Sequence, residues 1–146
     1  MEAQIEKYHT EAESLETDDE RIEHVKKYID AFPGEVYFKM RLLDMYGAKD
    51  MDYTKKRLPE IRRLCRYVID HTNADDWKRT NALINMICAE DDENIDEWMI
   101  LLDRKSEVDS RFALSERYYY RNEVDKYNRL IQEDILNSFL HCFLHD

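Results

Sequence analysis

Two glycines and two prolines are the only residues of their kinds in this chain of 146. Sheets that reverse in tight turns call on Gly or Pro at most reversals, because few other residues adopt the backbone angles such turns need. A chain so poor in both is read most simply as all-helical. The apolar pattern agrees: Ile5, Tyr8, Ala12 and Leu15 recur at i, i+3, i+7 and i+10, one face of a first helix. Thr17 and Glu20 make a T-x-x-E capping box at the head of a second helix, which carries Ile22, Val25, Ile29 and Phe32 and stops at Pro33-Gly34.

The same reading continues along the chain. A third helix starts near Glu35, shows Val36, Met40, Leu43 and Tyr46, and closes at Gly47, with residues 47–57 as a loop. Pro59 opens a fourth with Ile61, Leu64, Cys65, Val68 and Ile69. Asn73 or Asp75 caps a fifth that runs to about Glu90, and Asn94 with Glu97 forms a second capping box ahead of "EWMILLD". A seventh helix runs from about Asp109 to Tyr120, and the longest covers Glu123 to His145. Eight helices with short connections predict one domain of stacked antiparallel hairpins, about 3–32, 35–71, 75–104 and 109–146. A shift of forty residues lays "YIDAFPGEVYFKMRLL" on "VIDHTNADDWKRTNAL", pairing Ile29 with Ile69, Tyr37 with Trp77 and Leu43 with Leu83. A fixed period of this kind predicts a solenoid: each hairpin buries too little alone, so neighbours share a core and leave one helix of each pair on a concave face.

Charge narrows the classes of partner. With 33 acids against 22 bases the formal net charge is -11, which repels phosphate backbones, so no direct nucleic-acid contact is expected. The basic stretch "KKRLPEIRRLCR" (55–66) contributes Arg62, Arg63 and Arg66 to what reads as the wet side of a helix. Cys65, Cys88 and Cys142 have no CxxC spacing and suit a reducing cytoplasm. The first residues lack an apolar signal region and no run approaches eighteen apolar residues, so a soluble protein without membrane attachment is expected.

The Phe32-Pro33 helix ending and the alternating helices look like tetratricopeptide repeats, which implies a right-handed solenoid, although only Trp77 of the W-x2-L-G-x2-Y signature is kept, with Thr80, Asn81 and Ile84 at its other positions. Residues 60–146 resemble the helical C-terminal region of Firmicute transcriptional regulators of the XRE (phage-repressor-like) class. Thr72, Asp75, Asp76, Arg79 and Ala82 follow that family's T-x-D-D-x-x-R-x-x-A helix start with one extra residue after the Thr, and Gln132 and Ile135 match a Q-x-x-I step in its long last helix. The resemblance implies a regulatory and oligomerising part that works beside a helix-turn-helix DNA-binding domain, for which no recognition-helix pattern precedes Ile5.

Each polar cluster has a plain and a functional reading. On the helix after Asp75, the seam is expected at Thr80, Leu83, Ile84 and Ile87, with Lys78, Asn81 and Asn85 close together beside Trp77. Those four are either wet surface or the wall of a groove, where a carboxamide can serve the backbone of an extended peptide. His141 and His145 stand at i, i+4, but zinc needs further ligands held in place, so solvated histidines are expected. "AEDDENIDE" (89–97) lacks the Gly and oxygen spacing of a calcium loop and reads as acids favoured by a helix dipole. "RYYYR" (117–121) puts phenols around a helix, so they cannot all enter one seam. The last helix has more apolar width than one neighbour covers, which predicts a homodimer through Tyr127, Leu130, Leu136, Phe139, Leu140 and Phe143. With no paired nucleophile and base and no ligand set, the expectation is a non-enzymatic protein- or peptide-binding domain without cofactor. It serves either a helix-turn-helix regulator or, alternatively, as a freestanding adaptor.

Overall fold

Four of the helices begin where a side chain satisfies a free amide, at Thr17, Glu35, Asp50 and Asp76. The computed structural model describes residues 1–102 and 107–145, with side chains at 107 and 143–145 excepted. Among the described residues the protein is all-α. Its helices are α1 (Glu2–Ala12), α2 (Asp18–Ala31), α3 (Val36–Gly47), α4 (Met51–Lys56), α5 (Leu58–Asp70), α6 (Trp77–Ala89), α7 (Ile95–Met99), α8 (Glu107–Tyr120) and α9 (Val124–His145). At the start of α2 the Glu20 amide donates to the Thr17 hydroxyl at 3.1 Å, as the capping box requires. Pro59 lies in the first turn of α5.

Three boundaries differ from expectation. The cap of α6 is Asp76, which accepts from the Lys78 amide at 2.9 Å, rather than Asn73 or Asp75. Asn94 makes no side-chain cap bond: Asp92–Asn94 form a 3-10 turn, and the helix behind it is the five-residue α7. The supposed loop 47–57 holds α4, whose cap Asp50 accepts from the Tyr53 amide at 2.9 Å. The result is nine helices among the described residues, where eight were expected.

The hairpins stack. α3 packs against α2, α5 and α6, α6 against α5, α7 and α8, and α8 against α9. α3, α6 and α8 thus form an inner row, with α2, α5 and α7 against their flanks. The forty-residue shift is the step from α2–α3 to α5–α6, whose inner helices begin at Val36 and Trp77. A continuous core runs from Tyr8 through Phe38, Leu43, Cys65 and Leu83 to Ala113. Side chains the size of Phe38, Leu43 and Leu83 contribute roughly 1.5–3 kcal/mol each on burial. The seam of α6 is Ala82, Leu83, Met86 and Ile87, while Thr80 and Ile84 are only half-buried. Contact with three long helices turns a wider arc of α6 inward than one stripe predicts. Among the described residues no helix is long and apolar enough to cross a membrane.

Candidate functional site

The inner row carries a polar knot between α3 and α6. Asn81 and Asn85, one turn apart, both donate from their Nδ2 atoms to Asp44 Oδ1, at 2.6 and 2.8 Å. Arg41 stands 3.5 Å from the other Asp44 oxygen. α3 ends close against this knot. A Cβ on Gly47 would meet Asn85 Oδ1 at 2.4 Å, so any other residue here would displace the Asn85 carboxamide that Asp44 holds.

Above the knot lies a trough of roughly 280 Å³, walled by Asp44, Asn81 and Asn85 on one side and by Phe112, Glu116 and Tyr120 of α8 on the other. A second hollow of roughly 290 Å³ shares Gly47, Ala48, Asn85, Cys88 and Tyr120 with it and continues to Met51 and Thr54 of α4. The two form one surface channel from α8 across α6 to α4.

Asn81 and Asn85 of the sequence candidates stand in this trough. Trp77 and Lys78 are not among its lining residues: Trp77 is exposed, and Lys78 pairs with Asp76 at 3.6 Å while its Nζ sits 5.9 Å from the Trp77 ring. Sequence reasoning missed Asp44, Phe112, Glu116 and Tyr120. The Asn pair's spacing marked one wall, but nothing local marks which residues of α3 and α8 face it. Of the three phenols, Tyr119 and Tyr120 are exposed and Tyr118 is half-buried.

Behind the trough a second polar network closes the end of α6. Glu90 is buried, and Arg62 grips both its oxygens at 2.9 and 2.5 Å while the Trp98 indole donates at 2.9 Å. Burial works against the Glu90 charge, but the bonds from Arg62, Trp98 and the Asp91 amide outweigh it and hold the carboxyl at about 2. Arg117, also buried, donates to the carbonyls of Ile87 and Glu90 and to Asp92. Arg121 reaches the carbonyls of Cys88 and Glu90. Part of the acidic run 89–97 is therefore internal wiring, and Arg62 is more than a wet-face residue. Sequence held one clue, Arg117 and Arg121 at i, i+4.

Neither the buried Cys65 nor the half-buried Cys88 is activated. Burial pushes Cys65 and Cys88 up to about 12, so both are protonated at neutral pH. Among the described residues no group of His, Cys, Asp and Glu is arranged to hold a metal; the side chains of His145 and Asp146 lie outside them.

On α9 the predicted contact set divides. Leu130 is buried and Arg111 of α8 reaches its carbonyl at 3.4 Å, so it belongs to packing within the chain and corrects the expectation. Tyr127 is half-buried; Leu136, Phe139 and Leu140 are exposed, together with Ile135. The side chain of Phe143 lies outside the described residues. Cys142 is exposed on the same helix. Comparison with protein-family models, curated proteins and solved structures gives no match.

Proposed function

We propose that the chain is a non-catalytic helical-repeat module that takes up a peptide or protein segment in the α3–α6–α8 trough. The observation that carries this reading is the channel running from Phe112 and Glu116 to Met51, floored by side chains that are already fixed. Asp44 holds Asn81 and Asn85 in place, so a bound chain orders few further rotors, which favours affinity. In the setting implied by the XRE resemblance, the module is the sensor of a helix-turn-helix regulator. It self-associates through Leu136, Phe139 and Leu140 of a second copy's α9, and occupancy of the trough biases the spacing of the DNA-binding heads. That coupling requires the ligand to bind the two arrangements with different affinity.

A displayed library of extended peptides, selected on the purified chain, tests the binding reading. Ala48 is exposed at the end of α3 and lines both hollows, so Ala48→Trp fills the channel without touching the core. Selected peptides should lose binding to that variant; undiminished capture removes the trough from consideration. A helix-turn-helix segment encoded in frame before Met1 is the outcome expected for the regulator. Peptide binding without such a segment leaves the freestanding adaptor.

A further inference from the structure

Resting on that reading of the trough, its chemistry specifies the class of segment it takes. Asn81 Nδ2 donates to Asp44 and to Met40 Sδ, and Asn85 Nδ2 to Asp44 and to the Asn81 carbonyl, so both N–H pairs are spent and the carboxamide oxygens are their remaining bonding atoms. Glu116, half-buried on the facing wall, makes no hydrogen bond or ion pair with another described side chain. Phe112 and Tyr120 supply aromatic faces on the same side. The lining is thus rich in acceptors and poor in free donors. The nearby cations are taken: Arg41 pairs with Asp44, and Lys49, at the far hollow, lies 3.9 Å from Asp18 and 3.6 Å from Asp19.

We infer that the segment bound in the trough is basic, presenting a lysine or arginine side chain to Glu116 beside Tyr120, with aliphatic neighbours for Ile84 and Cys88. A cation there meets a carboxylate, carboxamide oxygens and an aromatic face, three partners that each favour positive charge. An acidic segment meets repulsion and few donors. The net charge of -11 steers a basic segment toward the chain over a longer range.

The test is fluorescence polarisation with labelled nine-residue peptides that alternate Leu with Lys, with Ser or with Glu. They are titrated onto the wild-type chain, Glu116→Gln, Glu116→Lys and Ala48→Trp, each variant first checked for an unchanged helical melting curve. The Lys/Leu peptide should bind tightest. Glu116→Gln should weaken it about three- to fivefold, the scale of a half-exposed ion pair, and leave Ser/Leu binding unchanged. Glu116→Lys should shift the preference toward Glu/Leu, and Ala48→Trp should abolish binding. Equal affinity for Lys/Leu and Ser/Leu with no response to either Glu116 variant overturns the charge inference and leaves the trough reading standing. Lys/Leu binding that survives Ala48→Trp overturns it too, because the attraction is then diffuse. If no peptide binds the wild-type chain, the trough reading itself is overturned.

Discussion

At Glu90 a carboxylate is buried only because Arg62 and Trp98 come with it. Its folded-state pKa of about 2 lies below the ordinary 4.5, so the stability it contributes is fully present above about 4.5 and is lost as pH falls through about 2. A displacement of that size corresponds to something on the order of 3 kcal/mol. Glu90→Gln should therefore lower the urea midpoint strongly at pH 7, and its deficit against wild type should shrink between pH 5 and pH 2. A deficit that stays constant over that range would place the effect in shape rather than charge. Arg117 makes a related case. Arg117→Met removes the donor to the buried Ile87 carbonyl and leaves the Glu90 carbonyl and Asp92 to Arg121 alone, and should cost about 1–3 kcal/mol in chemical denaturation. A loss below about 1 kcal/mol would mean the carbonyls find other donors. This network was illegible in sequence for a definite reason. Periodicity sorts Arg62 onto a face, but its partner lies 28 residues away, on a turn whose acids looked like dipole decoration.

Among the elements, ends that depend on local chemistry were the readable ones. The Thr17 box and the Pro33 stop need only neighbouring residues, and α2 begins and ends as they dictate. α4 was hidden because six residues are too few to show a period; α7 was expected but read too long, because its helix ends at Met99 although the apolar letters run on to Leu102. The end of α8 teaches the same lesson. Asn122 adopts a φ of 57°, in the left-handed region, so that the Glu123 amide can reach the Tyr118 carbonyl at 2.9 Å and the Asn122 amide the Tyr119 carbonyl at 3.1 Å. Asn tolerates that conformation, glycine prefers it and a β-branched residue resists it. Asn122→Gly should leave the melting temperature unchanged or raise it slightly, whereas Asn122→Val should destabilise by about 1–3 kcal/mol. Equal melting of the two variants would show that the turn into α9 is held by packing alone.

Over the molecule as a whole, the two faces of the stack were unequally legible. The repeat offset predicts one helix of each pair on an inner face, and in the structure α3, α6 and α8 pack in a row. It could not say which residues of three separate helices converge there, so the trough was half found, through Asn81 and Asn85. α9 was read from breadth alone, and breadth does not separate residues serving α8, such as Leu130, from those left facing water. The exposed group of Ile135, Leu136, Phe139 and Leu140 gives the self-association reading a sharp form. Two copies meeting along α9 bury these side chains against one another, but they also bring together two chains of charge -11. Association should then strengthen with salt, because screening weakens the repulsion and leaves the apolar contact intact. Sedimentation equilibrium at micromolar concentration should show a monomer–dimer balance that moves toward dimer between 50 mM and 500 mM NaCl. Leu136→Glu with Phe139→Glu should hold the chain monomeric at both, with an unchanged melting curve, since neither side chain enters the core. A wild-type chain that stays monomeric at high salt would remove α9 as the dimer face. A dimer that survives the double substitution would place the contact elsewhere on the stack.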